Sequence, residues 1–295
     1  MLQRQAFSLV ELLVAMAVMA MILVLFAKIV SDSTRLSSHT KKRLGNSASA
    51  GAIISIMAND ITHMVQRPDV EIKVIKNQGN DEIYFLSETP GALPTGAKPE
   101  DMCGASLVGY RISSKENSPT LSPGQLNMIQ RLAHPLTWVE LKSGLLPMRI
   151  GDLLSDIHPE EWQVLGGVFR LELAFSLTDG RALSDLPTQT YSYLKASDTE
   201  PIGYTQGTLQ DIKCPGLLHS IQVGLAFLDE ESRKLIPDSN ADTLFGSFSK
   251  TFSDANDNDG QISNWKSELN NMAAGPAKIR EAIDVYQTVI PVSSL

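Results

Sequence analysis

One carboxylate stands inside the most apolar stretch of the sequence, and it is the first residue whose position suggests chemistry. Glu11 is followed by sixteen consecutive apolar residues, from Leu12 to Ala27, with no charge among them. A charged side chain at a bilayer centre costs about 2.5–3.5 kcal/mol and less near the interface, so such a residue is a functional hypothesis by default. Its chemistry would be that of an ion pair, because a poorly solvated anion is stabilised when it meets an equally poorly solvated cation.

The element that carries Glu11 is predicted to be a membrane-spanning helix. The apolar stretch runs from Phe7 to Val30, and its only charged residues are Glu11 and, near its far end, Lys28. This length corresponds to about 36 Å of helix, enough for a hydrocarbon core of ~30 Å. A six-residue leader with one basic residue, Arg4, precedes it. An ordinary secretory signal has a longer basic region and is cleaved after its apolar stretch, not before it.

The two cysteines, Cys103 and Cys214, are a second candidate for chemistry. Neither has a neighbour in a CxxC pattern, so no zinc site is expected. In an oxidising compartment a disulfide between them would close a loop of about 110 residues, worth on the order of 4 kcal/mol. Two free, buried thiols are the alternative, since the sequence gives no distance between the Cα atoms.

Residues 254–260 form the best metal candidate. Asp254, Asp257 and Asp259 supply the oxygen ligands that calcium prefers. The run misses the EF-hand frame, because a Gly260 in the sixth position puts Ala255 first and Lys266 twelfth, where Asp and Glu are needed. Such runs are also typical of turns. We therefore expect no cofactor, with calcium as the alternative.

Motifs of common enzymes and nucleic-acid binders are missing from the sequence. None of the five histidines forms HExxH, and there is no GxSxG, P-loop or GxGxxG. The net charge is −8, and the only tight basic cluster is 41–43, which reads as a solvated helix face just outside a membrane rather than as a phosphate-binding surface. We expect neither an enzyme nor a nucleic-acid partner.

Beyond the apolar stretch, residues 31–67 are predicted to continue the helix. Apolar residues recur at helical spacing on one face, which would pack on a sheet, and Arg67-Pro68 ends the pattern. Residues 68–295 are predicted to form a β-rich head. The expected strands are 70–74, 83–86, 107–112, 126–132, 164–177, 218–228 and 285–292, with 90–104 as a loop.

Residues 229–284 are predicted to form a mostly polar insertion between two strands. Short helices are expected at 265–272 and 276–283, separated at Gly275-Pro276. Segments of this length are usually either functional or mobile surface loops, and both readings stay open.

The string Ala6-Phe7-Ser8-Leu9-Val10-Glu11-Leu12-Leu13 resembles the cleavage and methylation motif of type IV pilins and type II secretion pseudopilins. The resemblance implies that a prepilin peptidase cuts between Ala6 and Phe7 and methylates Phe7. It also implies that Glu11, fifth in the mature chain, pairs with the N-terminal amine of a neighbouring subunit. The residue before the cut is usually Gly in this family, and here it is Ala6.

The resemblance implies an α+β, pilin-like fold, in which a long N-terminal spine helix packs on an antiparallel β-sheet head with a large loop and helix insertion. Its parts would be a leader (1–6), a transmembrane half-helix (7–30), a periplasmic half-helix (31–67) and the head (68–295). The partners implied are prepilin peptidase, the inner membrane, and other minor and major pilins or pseudopilins that bind through the spine helix. The chain would cross the inner membrane once, with its head in the periplasm, and join a filament after processing.

Short segments of the head, such as 108–112 and 165–171, resemble the minor pseudopilin J group of type II secretion. The chain also resembles the pilin-like cassette protein C of Verrucomicrobia-type clusters. These resemblances imply a minor subunit at the tip of a secretion filament. The alternatives are a minor pilin of a type IV pilus, used in adhesion or DNA uptake, and a signal-anchored periplasmic protein.

Overall fold

A computed structural model describes most of the chain. The described residues are 9–66, 70, 72–76, 79–91, 98–138, 150–155, 157–177, 190–194, 203–206, 208–209, 218–252, 265–271 and 275–292. The chain divides into two compact units, Met1–Ser47 and Ala48–Leu295. The first contains the beginning of one long helix, α1 (Leu9–Thr62), and the second contains its end together with all the strands.

The last turns of α1 form one side of the main core of the second unit. Ala50, Ile53, Met57 and Ile61 are at most 2% exposed, and their spacing of three and four residues puts them on one helical face. The predicted helix reached residue 67, but α1 ends at Thr62. Residues 63–65 pair instead with residues 86–88 as neighbouring strands do, and Val65 N–H donates to the Leu86 carbonyl over 2.8 Å.

The larger sheet has eight strands and is antiparallel in every pairing. In spatial order its strands are β5 (Gln163–Gly166), β4 (Ile129–Thr137), β3 (Met102–Ile112), β2 (Glu82–Ser87), β1 (Lys73–Ile75), β7 (Thr190–Leu194), β8 (Gly203–Gln206) and β9 (Thr208–Leu209). One face contributes to the main core with α1. The other buries a smaller cluster that includes Tyr84, Leu107 and Trp162.

A second antiparallel sheet has three strands. In spatial order these are β11 (Ile283–Pro291), β10 (Leu218–Leu228) and β6 (Val168–Leu177). The predicted strand 164–177 is therefore two strands that belong to different sheets. The break falls at Gly167, where a Cβ atom would lie 2.2 Å from the carbonyl oxygen of Leu228. Only glycine permits that approach of two backbones.

The insertion 229–284 folds against the outer face of the smaller sheet. It contains four helices among its described residues: α3 (Glu230–Arg233), α4 (Asp238–Ser249), α5 (Trp265–Asn271) and α6 (Ala277–Arg280), numbered after a short helix α2 (Ile150–Ser155). Phe245, Phe248 and Trp265 pack with Phe169 of β6 in a separate buried cluster. The helix predicted at 265–272 is confirmed as α5, and the one predicted at 276–283 is a single turn, α6, because β11 begins at Ile283. Helices α3 and α4 were not predicted.

The alternation along β6 is shifted relative to the sequence pattern. Simple alternation along a strand would put Phe169, Leu171 and Leu173 on one face. The pairing of β6 with β10 changes register between Ala226 and Phe227, so Phe169 packs among the aromatic rings of the insertion while Leu171 and Leu173 face the main core. An extra residue in one strand reverses the faces beyond it.

The predicted strands differ from the structure mainly at their boundaries, whereas β7, β8 and β9 were not predicted. Strand β3 begins at Met102, inside the predicted loop 90–104, and β4 continues to Thr137. Both ends lengthen because Met102 pairs with Thr137 across a register shift. The result is an N-terminal apolar helix followed by antiparallel sheets, an α+β arrangement consistent with the expected pilin-like fold.

Candidate assembly and membrane-anchoring site

The first part of α1 is long and apolar enough to cross a membrane. Within Leu9–Thr34, the most hydrophobic window of 18 residues has a mean hydropathy of 2.8, and none of that window is buried. Large side chains point outward on every side, from 47% exposure at Val30 to 78% at Leu9. A helix that is apolar all round needs lipid or other protein around it. Within the Met1–Ser47 unit, this segment is such a helix.

Glu11 lies in the first turn of α1. Glu11 is exposed, as are the apolar residues around it. The structure therefore places an acidic group at the start of an uncovered apolar helix, accessible to a neighbouring molecule. Ala6 and Phe7, the predicted processing residues, lie outside the described residues.

A second polar site lies where α1 meets the larger sheet. Asp60 is 1% exposed and accepts two hydrogen bonds from the Arg131 guanidinium, 2.7 Å from Nε and 2.9 Å from Nη2. It also accepts hydrogen bonds from the hydroxyl of Tyr110 and, over 3.3 Å, from that of Thr89. Burial, together with the Asp60 charge, raises the pKa of Tyr110 well above its usual value. These hydrogen bonds hold the end of α1 against strands β3 and β4, which carry Tyr110 and Arg131.

A third polar site joins the two sheets. Lys76 Nζ donates to Asp81 over 2.5 Å, to Glu172 over 2.7 Å and to the Leu173 carbonyl over 2.8 Å. Arg170 donates to the other oxygen of Glu172 over 2.8 Å. Burial is the main cause that raises the pKa of Asp81 to about 7, and Lys76 partly offsets it. Two basic and two acidic side chains thus meet in one buried hydrogen-bonded cluster, which suits a structural network.

The same network closes one edge of the smaller sheet. Leu173 N–H of β6 donates to the Asp81 carboxylate over 2.7 Å, and Leu171 N–H donates to the Asn80 side chain over 2.9 Å. The Asp81 N–H donates in turn to the Leu171 carbonyl over 3.0 Å. The turn before β2 thus supplies β6 with the partners that a neighbouring strand would give, which protects it from pairing with another chain.

A groove of about 540 Å³ lies between the β4–β5 side of the sheet and the insertion helices. Arg233, on its wall, donates to the carbonyls of Leu126 and Asn127 and stacks on Phe245 with 4.4 Å between the guanidinium carbon and the ring centre. Burial lowers the pKa of Arg233 to about 10. These contacts fasten the insertion to the β3–β4 hairpin, as does the 3.0 Å hydrogen bond from Asn127 to Asp242.

The other predicted site residues are placed only in part. Cys103 is a buried, free thiol in the structure, and Cys214 lies outside the described residues, so the disulfide stays a prediction. Asp254, Asp257 and Asp259 also lie outside them. Within the part of the chain that the structure describes, no group of three or more His, Cys, Asp or Glu side chains is arranged to hold a metal ion.

Sequence reasoning missed both buried charge networks of the second unit. Asp60 carried a usable signal, because it falls within the apolar face formed by Met57, Ile61 and Met64, where a carboxylate needs a buried partner. The sequence gave a weaker signal for Glu172. It alternates with apolar residues in a strand, a pattern that equally fits an exposed side chain.

Comparison with known proteins gives one match, and it falls on the N-terminal segment. A family model described as the prokaryotic N-terminal methylation motif matches residues 1–27. Neither curated proteins nor solved structures match the chain. The motif supports a prepilin-type, pilin-like protein in general, processed by a prepilin peptidase and assembled with other pilins. Proteins of this type are structural rather than catalytic, and the apolar helix agrees with membrane anchoring.

Proposed function

We propose that the chain is a minor pilin or pseudopilin that joins the tip of a periplasmic, pilus-like filament of a type II secretion-like system. The observation that carries the proposal is the coincidence of the methylation motif at 1–27 with an apolar helix that begins at Leu9 and is uncovered within its unit. The head would lie in the periplasm and the helix would cross the inner membrane before assembly.

The mechanism assigns Glu11 to subunit registration. Cleavage before Phe7 would create a new amine four residues from Glu11. In lipid the carboxylate and the amine are each poorly solvated, and an unpaired charge there is costly. When a subunit slides along a growing filament, the register in which its carboxylate meets a neighbour's amine removes both costs. Lipid-facing apolar side chains would then be covered by adjacent helices.

The size of the head supports a tip position. Its insertion 229–284 adds four helices and a separate aromatic cluster to the sheets, more than packing along a filament requires. An end position leaves the head uncovered on one side, where the insertion has room. A secretion filament that works as a piston needs such a subunit to begin assembly. A type IV pilus would use a minor subunit in a comparable way, and the neighbouring genes distinguish the two systems.

The decisive experiment measures the mass of the mature N-terminus from membranes of cells with and without prepilin peptidase. We expect loss of residues 1–6 and a methyl group on Phe7 only when the peptidase is present. A leader that remains attached in both strains would refute the proposal and leave a signal-anchored protein. An Ala6→Gly variant, which restores the usual residue before the cut, serves as the matched positive control.

A further inference from the structure

The contact between Lys76 and Asp81 has the arrangement that an amide bond between two side chains needs. The two residues flank the connection between β1 and β2, and Nζ of Lys76 lies 2.5 Å from Oδ2 of Asp81. Their side chains are 8% and 0% exposed. An amine and a carboxyl group held together in this way react as if their concentration were far above that of free groups in solution. A nucleophile and an electrophile are therefore already in position.

A third buried side chain can accept the proton that the amine must lose. Oε1 of Glu172, on β6, lies 2.7 Å from Nζ of Lys76, and the Glu172 side chain is completely buried. The other oxygen of Glu172 accepts a hydrogen bond from Arg170 over 2.8 Å, which fixes the orientation of the carboxylate. A carboxylate at hydrogen-bond distance from an attacking amine is positioned to act as a general base.

The two oxygens of the Asp81 carboxyl group differ in their surroundings. Leu173 N–H donates to Oδ2 over 2.7 Å, as the backbone donors of an oxyanion hole do. Oδ1 is buried and has no hydrogen-bond partner within the part of the chain that the structure describes. Burial raises the pKa of Asp81 to about 7, so near neutral pH part of the protein holds a neutral carboxylic acid, whose hydroxyl can leave.

We propose that Lys76 and Asp81 form an intramolecular isopeptide bond, with Glu172 as the general base. In the neutral pair, Nζ of Lys76 forms a bond to Cγ of Asp81, and the bond from Cγ to the hydroxyl oxygen breaks. Glu172 takes one proton from the attacking nitrogen and passes it to the hydroxyl, which leaves as water. The amine and the carboxylic acid supply every atom of the amide and the water, so the step needs no oxidant or reductant.

The bond should form slowly after folding, so that freshly folded protein still holds the ion pair. Burial disfavours the ammonium form of Lys76, but the charges of Asp81 and Glu172 outweigh burial and raise the pKa of Lys76. Only a small fraction of the amine is therefore unprotonated and able to attack. The reaction happens once in each chain and is not a turnover of substrate.

The amide would tie β1 to β2 by a covalent bond beside their hydrogen bonds. Strand β1 has only three residues, and its pairing places Ile75 opposite Glu82. A ring closed between residues 76 and 81 would keep this register when the chain is pulled or attacked by a protease. The inference goes beyond the proposed function and does not depend on it.

Mass spectrometry of the full-length protein in detergent tests the bond. The protein is incubated at neutral pH over several days and digested with trypsin, which cleaves after a free Lys76. We expect a peptide that is uncut at Lys76, lacks the mass of one water molecule and gives no fragment ions from within residues 76–81, because these form a ring. Its share should grow with time. Absence of this peptide after the full incubation would overturn the inference.

Two controls identify the chemistry of any water loss. Asp81 can also lose water alone, by forming a succinimide with the backbone, but Lys76 then remains a free amine and trypsin still cleaves after it. That result would count against the isopeptide bond. The variant Lys76→Arg keeps a positive charge at the site but cannot lose a proton to become a nucleophile, so it should give no ring.

The variant Glu172→Gln tests the general base. It keeps the size of the side chain and should slow formation of the ring at least about tenfold, because a positioned general base typically contributes about 10²–10⁴-fold. Glu160→Gln makes the same change at an exposed position of the same unit and should react at the wild-type rate. Tryptophan fluorescence checks that each variant is folded. A folded Glu172→Gln protein that reacts as fast as the wild type would refute the role of Glu172.

Discussion

The two ends of helix α1 are built from similar apolar residues but differ in what covers them. From Leu9 to Thr34 the helix is apolar on all sides, and within its unit its large side chains stay exposed. From Ala50 to Ile61 one face is buried against two sheets. The difference shows that the apolar side chains of the first end need lipid or another protein to bury them, whereas those of the second end are buried by the sheets of the same chain.

The polar groups follow the same division. Asp60 is satisfied inside its own unit by Arg131, Tyr110 and Thr89. Glu11 is accessible at the surface of an apolar helix, where a partner from another subunit can approach. One carboxylate thus fixes the helix to the head, and the proposed role of the other is to fix subunit to subunit.

The largest expected effect comes from neutralising Glu11. The variant Glu11→Gln keeps the size of the side chain but removes the charge that would meet a neighbour's amine. We expect membrane insertion and leader cleavage to remain, and incorporation into purified filaments to fall at least about tenfold. Loss of the Glu11 charge leaves the neighbour's amine unpaired in a poorly solvated site, which costs several kcal/mol.

Glu116→Gln is the matched control, because it makes the same change at an exposed head position and should assemble normally. Filaments that incorporate the Glu11→Gln protein as well as the wild type would remove Glu11 from the mechanism and, with it, the contrast between the two carboxylates.

A smaller effect is expected when side chains are truncated on the two ends of α1. Met57→Ala should lower the free energy of unfolding by about 2–5 kcal/mol, because Met57 is completely buried in the main core. Leu23→Ala, at 60% exposure, should change it by no more than about 0.5 kcal/mol. All three tryptophans lie beyond residue 47, so tryptophan fluorescence of the detergent-solubilised protein follows the head alone.

Equal losses in the two variants would contradict the comparison, since they would mean that the first end of α1 also depends on contacts within the chain. A variant Leu13→Ala at 62% exposure repeats the control at a second position and should behave as Leu23→Ala does.

The sequence predicted this division because each end of the helix has a distinct pattern of apolar residues. An uninterrupted apolar run marks the first end, and apolar residues at three- and four-residue spacing mark the second. The strand positions in the head followed from alternation in the same way. The end of α1 at Thr62 could not be predicted, because the pairing of residues 63–65 with residues 86–88 is made by tertiary contact.

The errors in the head arise from single residues whose effect depends on partners far along the chain. Gly167 separates two sheets only because the backbone of Leu228 approaches it. The face of Phe169 depends on an extra residue in β6, where its pairing with β10 changes register. Likewise, Lys76 gave no hint that its partner Glu172 lies 96 residues away, since ion pairs of that kind leave no local pattern.

The last prediction concerns pH and the buried charge network that joins the two sheets in freshly folded protein. Asp81 is fully buried, and burial raises its pKa from an ordinary 3.8 to about 7. Between about pH 4 and pH 7 the folded protein therefore holds more protons at this site than the unfolded chain. Stability from this group is present below that window and is lost as the pH rises through it. A pKa that moves from 3.8 to about 7 corresponds to a change on the order of 4 kcal/mol.

The variant Asp81→Asn should remove this dependence, because its side chain keeps an oxygen that accepts from Lys76 and Leu173 but does not titrate. Unfolding followed by tryptophan fluorescence at pH 4.5, 6 and 7.5 should give a flatter profile for the variant than for the wild type. Asp101→Asn, an exposed carboxylate in the same unit, should keep the wild-type slope. A variant slope equal to that of the wild type would show that Asp81 stays ionised beside Lys76 across this range, so that the network joining the two sheets is an ion pair at every working pH.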